Sequence, residues 1–289
     1  MLSKPPSSHP DISPARRGFA VALLTRVKNP GKLARALYLS PEKGPHAFLS
    51  GSNAESLAKS LGEELVDPSY FFTEHRWEEH RRGLGLPGST TISTESIHAF
   101  DPYPTGTVGA VALDVKGCIA VVTSTGGRTN KLVGRIGDTP IFGAGFWAEE
   151  WTAGDGSKQA VGISGTGDGD VSCNLLLLYL CGICDVDIRQ YFIRQATAST
   201  IGHRVKFLGE PLEESAEKAV EALSCDGALG GVIALDSSGH GMLPFSAVPS
   251  AKVYSYVVVM SLNSPGMYRG VITQDGIAKT AIFSDDVLS

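Results

Sequence analysis

The sequence has no apolar run approaching the ~18–20 residues that a membrane-spanning helix requires. Its opening stretch MLSKPPSSHPDISPARRG also lacks the apolar centre of a secretory signal. Basic blocks are missing: 25 Lys and Arg stand against 30 Asp and Glu, a net charge of −5, so nucleic acid is not an expected partner. Cysteine is scarce. Cys118, Cys173, Cys181, Cys184 and Cys225 are odd in number and irregular in spacing, which argues against a disulfide framework. Cys181 and Cys184 form a CxxC with no second ligand pair, so no metal or redox role is assigned and the thiols are read as buried apolar groups. These absences predict a soluble, cytoplasmic protein with neither a membrane nor a nucleic-acid partner. Glycine, by contrast, is plentiful: 34 of 289 residues, which suits tight turns and close backbone approach better than a helical bundle.

Residues 1–17 are rich in Pro and Ser and are expected to be disordered. From Gly18, FAVALLTRV reads as a strand, and Asn29-Pro30 opens a short helix through Lys32–Leu39. HAFLSG reads as a second strand. Ser52–Glu64 follows with helical spacing, Ala54, Leu57, Ala58 and Leu61 sharing a face. Glu74–Leu86 mixes charges of both signs and predicts a solvated helix; His75 and His80, five apart within it, do not share a face that could hold a metal. Residues 87–106, PGSTTISTESIHAFDPYPTG, read as a linker. The composition then changes sharply. A helix-rich fragment, 18–106, thus meets a sheet-based one, 107–289.

That second part begins with GTVGAVALDVKGCIAVVTSTGG, Gly106 to Gly127, two strands joined by the polar turn Asp114-Val115-Lys116-Gly117. If Leu113 pairs with Cys118, Thr107 falls opposite Ser124 and beside Thr125. A threonine hydroxyl is a poor nucleophile without a base beside it. Its own α-amine can serve once the chain is cut before it, because such an amine has a pKa of ~7.7–8.0. Gly106 tolerates the strained backbone that self-cleavage needs. Taken alone, the hairpin fits ordinary strand threonines better than a nucleophile.

GTVGAVALDVKG, TSTGG, GRIGDTP and SGTGDGD occur in this order. Together they resemble the threonine-type N-terminal-nucleophile hydrolases: plant-type L-asparaginase/isoaspartyl peptidase, with the fungal threonine aspartase/L-asparaginase group. The likeness runs from Gly18 to Asp275. It implies an α/β fold, a four-layer αββα sandwich, and autocleavage between Gly106 and Thr107. By the same resemblance Thr107 is the nucleophile and Thr125 orients it. Arg135 and Asp138 grip the carboxylate and ammonium of a free amino-acid terminus, charge-assisted bonds that fix its register. Thr166 and Gly167 form the oxyanion hole. No cofactor and no metal are implied. The implied substrate is L-asparagine or a β-aspartyl dipeptide, and the implied assembly is a dimer of cleaved heterodimers. A taspase-like endopeptidase and an inactive, incompletely folded relative are the alternatives.

Three departures from the family pattern qualify the resemblance. The family's N-terminal strand and helix are not recognised here, and loss of a central strand would leave an exposed edge. Val171–Gln190 intervenes between SGTGDGD and the helix expected at Tyr191, and residues of about 246–262 follow MLPF where NSPGMYRG should soon come. Neither insert reads as a loop; the second is β-prone. Both have the length of short introns, and Val171 and Gln190 can carry splice-site letters in their codons. The reading is a gene prediction with retained introns and a missed exon, with true insertion as the alternative.

Overall fold

The structure is a computed structural model that describes residues 2–3, 18–86, 106–114, 117–168, 190–226, 228–242, 252–254, 257–263, 266–272 and 278–282. Residues 4–17 of the expected disordered start, most of the linker, residues 171–189 of the first insert, part of 246–262 and the CxxC lie outside the described residues; Leu2–Ser3, within that start, are instead held as a short strand by pairing with Val121 and Ala120.

Strands β1 (Leu2–Ser3), β2 (Ala20–Ala22) and β3 (Phe48–Ser50) belong to the N-terminal part. With them come helices α1 (Pro30–Tyr38), α2 (Gly51–Ser60) and α3 (Glu74–Gly83), with a 3-10 turn, Pro68–Phe71, before α3. Strands β4 (Val108–Leu113), β5 (Ile119–Ser124), β6 (Phe146–Thr152) and β7 (Lys158–Asp168) follow. Then come helices α4 (Tyr191–Arg194), α5 (Thr197–His203) and α6 (Leu212–Cys225). Strands β8 (Leu229–Asp236), β9 (His240–Met242), β10 (Lys252–Tyr254), β11 (Val257–Asn263), β12 (Gly266–Ile272) and β13 (Ala278–Ile282) complete the described chain.

Local chemistry sets the N-terminal helices. Asn29 caps α1 by accepting from Lys32 N at 3.0 Å, and Pro30 occupies the first turn, where its missing N–H costs nothing. Leu33, Ala34, Leu37 and Tyr38 then form its buried face. Helix α2 stops four residues short of the expected Glu64. Gly62 takes φ +77, its N–H reaches Lys59 O at 3.2 Å, and Glu63 N reaches Ala58 O at 3.0 Å, a Schellman closure. The same device ends α3 at Gly83 rather than Leu86: Gly85 has φ +65, Gly85 N bonds Arg82 O and Leu86 N bonds Arg81 O. As expected from its charges, α3 buries no residue.

Two antiparallel sheets form the centre. One runs β1-β5-β4-β11-β12-β13, the other β10-β9-β8-β7-β6; β2 and β3 pair separately and in parallel. Strand β11, within the β-prone stretch after MLPF, pairs with β4 through Val257↔Val111, Val258↔Ala110 and Val259↔Gly109. Between the sheets Val111, Ile119 and Val121 meet Phe146, Ala148, Ala160, Ile233 and Leu235. Gly162 permits that approach: a Cβ there would sit 2.7 Å from Val111 Cγ1 and 3.0 Å from Val121 Cγ2.

Helices cover both outer faces. Val161, Ile163, Val232 and Ala234 point away from the sheet gap into a core with Phe192, Ala198, Ile201, Ala216, Val220 and Leu223 of α4, α5 and α6. On the other side α1 lies over β5, where a Cβ on Gly31 would be 3.3 Å from Val122 Cγ2. Its partners there are Phe19, Val27 and Ala58. The α/β layering expected from the resemblance is therefore present in the described residues as helix, sheet, sheet, helix. The helix expected from Tyr191 is broken instead of continuous. Ala196 takes φ +47, and α5 restarts one residue later. Among the described cysteines, Cys118 is half-buried and Cys225 exposed, so the expectation of buried thiols fails for these two. They sit at a hairpin turn and at a helix end, where little packs over them. No helix among the described residues is long and apolar enough to cross a membrane.

Glu55 on α2 ties the turn after β2 to the helix layer. It accepts from Thr25 N at 2.6 Å, Arg26 N at 2.9 Å and Thr25 Oγ1 at 3.2 Å. Burial alone would raise its pKa, but these bonds, helped by the Arg26 charge, outweigh it and hold the carboxyl below the usual range. A lowered folded pKa contributes stability above the unfolded value of ~4.3 and loses it as pH falls through the folded one. Glu55→Gln is therefore expected to lower the urea midpoint at pH 7, with the gap from wild type closing on acidification below pH ~4. Midpoints measured across that range check this.

Candidate active site

The hairpin register differs by one residue from the sequence expectation, and the difference matters. Leu113 pairs with Ile119, not Cys118, and the ladder runs to Val108↔Ser124. Asp114 N bonds Cys118 O at 2.9 Å, Asp114 Oδ1 accepts from Cys118 N, and Gly117 takes φ +79. The turn thus closes one residue later, as in a three-residue loop with a left-handed glycine. The ladder ends there; carried one step further, the same register would set Thr107 opposite Thr125. Directly opposed residues share a sheet face; the expected register would have set these two on opposite faces.

The interior between the sheets can be followed level by level. Gly162 of β7 faces the pair Val111–Val121. Two residues on, Ser164 faces the pair Gly109–Thr123. Its Oγ lies 2.6 Å from Thr123 Oγ1, and a Cβ on Gly109 would sit 2.1 Å from it. Two residues further along β7, Thr166 falls on the same strand face as Ser164. The gap therefore grades from apolar, through a hydroxyl pair, to the Thr166 hydroxyl.

Thr166 is 7% exposed, and its Oγ1 is a buried side-chain oxygen with no hydrogen-bond partner among the described residues. A buried hydroxyl left unpaired costs about 1–3 kcal/mol, which a ligand oxygen at this spot would recover. Its cross-strand neighbour is Gly231, and Gly167 pairs with Gly230, so the sheet here lacks side-chain bulk. Thr107 is half-buried and Gly106 exposed, with φ +136, a backbone that side-chain-bearing residues rarely adopt. Thr125 Oγ1 accepts from Gly127 N at 3.1 Å, which folds the Gly126-Gly127 turn and leaves its O–H proton to donate elsewhere.

Arg135 and Asp138 lie in the irregular segment between β5 and β6, both half-buried. Lys131 braces the start of this segment, donating to Gly126 O at 2.8 Å and Arg128 O at 3.2 Å. Burial, then the nearby Arg135 charge, hold the Lys131 ammonium below its usual range. The Asp138 carbonyl accepts from Ile141 N at 2.8 Å and lies 2.5 Å from where a Cβ on Gly145 would be. Gly145 O in turn accepts from Gly165 N at 2.8 Å, next to Thr166. A short chain of backbone contacts thus joins the Asp138 turn to the strand carrying Thr166. Gln190, which donates to Ile136 O at 2.9 Å, fastens the same segment to the start of α4.

The family model described as Asparaginase matches residues 14–180. The isoaspartyl peptidase of Escherichia coli K12 is 35% identical over 251 residues, 86% of this chain and 68% of that one. The chain belongs to the asparaginase family. A probable isoaspartyl peptidase/L-asparaginase 2 of Arabidopsis thaliana is 31% identical over 287 residues, 93% of this chain and 72% of its own. A putative isoaspartyl peptidase/L-asparaginase of Dictyostelium discoideum is 32% identical over 282 residues, 89% and 67%. The family's N-terminal-nucleophile hydrolase fold agrees with the mixed helix and sheet layering described above.

Sequence reasoning missed Ser164, Thr123, Lys131 and Gln190. Thr123 could have been found, since the two-residue strand period places it on the same face as Thr125. Ser164 could not, because it meets Thr123 only across the sheet gap. Gly109→Ala tests this level. Its methyl would displace Ser164 and break the bond to Thr123, with an expected loss of about 1–3 kcal/mol in denaturant unfolding.

Proposed function

We propose that this member of the asparaginase family is an autoprocessed amidohydrolase acting on the side-chain amide of L-asparagine and on β-aspartyl dipeptides. The observation that carries the reading is the buried Thr166 hydroxyl, which has no hydrogen-bond partner among the described residues and stands two residues along β7 from the Ser164 that meets Thr123. In this reading the Thr107 hydroxyl attacks the Gly106 carbonyl, the peptide bond shifts to an ester, and water releases a free Thr107 amine. That amine then takes the hydroxyl proton as Oγ1 attacks the substrate's amide carbon. The Thr166 hydroxyl and the Gly167 N–H stabilise the oxyanion, each worth ~3 kcal/mol of barrier. The leaving ammonia or amine takes the proton back, and water attacks the acyl ester to free aspartate. Thr125 holds the nucleophile, while Arg135 and Asp138 bind the substrate carboxylate and ammonium. That pair favours a free amino-acid terminus over the mid-chain site of an endopeptidase. No cofactor enters any step.

We also propose a cytoplasmic location, from the few and irregularly spaced cysteines, and a dimer of cleaved heterodimers, from the family likeness.

Denaturing gels of the purified chain are expected to show two bands, from cleavage at Gly106–Thr107. Thr107→Ala should leave one band and no turnover, and Thr125→Ala should weaken both. A single persistent band in folded wild-type protein would favour the inactive alternative. Arg135→Ala is expected to raise KM about tenfold to a hundredfold with less effect on processing, the loss expected for one charge-assisted contact. Steady-state kinetics with L-asparagine and β-Asp-Leu side by side measure this.

A further inference from the structure

Two elements that the core does not hold meet each other beside the substrate grip. Helix α3 buries no residue. In the segment carrying Arg135 and Asp138, Leu132 and Val133 are 83% and 106% exposed, so apolar burial does not fix its course. The two are joined by a reciprocal pair of hydrogen bonds across 50 residues of sequence. His80 Nδ1–H donates to Asn130 Oδ1, and Asn130 Nδ2 donates to the His80 carbonyl at 3.2 Å. Asn130 Oδ1 can only accept, so Nδ1 carries the proton.

Further features show that the contact is built. Asn130 stands at φ +57, in the left-handed region that asparagine tolerates better than most residues. Gly83, at the last turn of α3, makes room for it: a Cβ there would lie 2.1 Å from Asn130 Nδ2. The Trp77 ring backs His80 at 5.4 Å and an interplanar angle of 30°. The next residue, Lys131, is the one that braces Gly126 and Arg128.

We infer that α3 is a latch on the 126–138 segment, and that His80 and Asn130 are positioning residues for Arg135 and Asp138. Neither latch residue need touch substrate. The inference rests on the amidohydrolase reading for the roles of Arg135 and Asp138, while the latch itself stands on geometry. It has a consequence for the cleaved form. His80 lies before Gly106 and Asn130 after it, so the latch spans the two fragments. The N-terminal fragment then supports substrate binding long after processing, through non-covalent contact alone.

The test uses the full chain and two variants. Asn130→Gly keeps a residue at ease with φ +57 but removes both hydrogen bonds. Gly83→Ala leaves every polar group in place, favours the helix intrinsically, and evicts Asn130 with its methyl. Both are expected to raise KM for L-asparagine about tenfold, the loss of two hydrogen bonds, with kcat within about twofold of wild type. Hydrogen exchange at the amides of 127–138 should speed up, while exchange in α5 and α6 stays as in wild type. Wild-type KM with wild-type exchange in that segment would overturn the latch. So would losses spread evenly over KM, kcat and the core helices, which mark a general weakening of the fold. If the unmodified chain neither processes nor turns over, the amidohydrolase reading fails, and the exchange measurement still decides the latch.

Discussion

Two β-sheets face each other across a narrow gap, and the side chains that each presents there must share it level by level. Where one strand brings bulk, the other brings glycine. Gly162 receives Val111 and Val121, and Gly109 receives Ser164. This complementarity does more than close the core. Side chains alternate strictly along a strand, so fixing one level fixes those above and below it. The apolar contacts at Gly162 therefore decide which residues arrive at the open end four positions away.

What arrives there on β7 is the Ser164 hydroxyl and then that of Thr166, while the irregular 126–138 segment follows β5. The polar residues are introduced gradually. The Thr123–Ser164 pair satisfies itself within the gap, one level before the unpaired Thr166 hydroxyl. Such a gradient keeps the cost of buried polarity low until the level where a ligand can recover it. The segment from Gly126 to Asp138 is held differently. Lys131 clamps its own turn, Gln190 holds Ile136, Gly145 meets Asp138, and Asn130 reaches α3. Side chains donating to backbone carbonyls, and a glycine's missing side chain, keep this segment in place.

Much of this was legible in the residues. Asn29-Pro30 marks a helix start because its side chain and ring act within four residues. The end of α2 could have been read from Gly62, since a left-handed cap needs only local bonds. The break at Ala196 could not, because nothing in that side chain favours φ +47. The hairpin was recognisable as a hairpin, yet its register slipped by one. Asp114 can end a strand or bond across the turn to Cys118, and the letters alone do not choose.

The sequence by itself determined the strand alternation, the helix caps and the motifs GTVGAVALDVKG, TSTGG, GRIGDTP and SGTGDGD that carry the kinship, because each depends on neighbours a few residues away. Only the tertiary structure decided that the hairpin closes with Leu113 on Ile119, that Ser164 meets Thr123, and that His80 holds Asn130. The last two contacts join residues 41 and 50 positions apart. Their geometry follows from how the sheets settle against one another and from where a glycine leaves room, which no local pattern can specify.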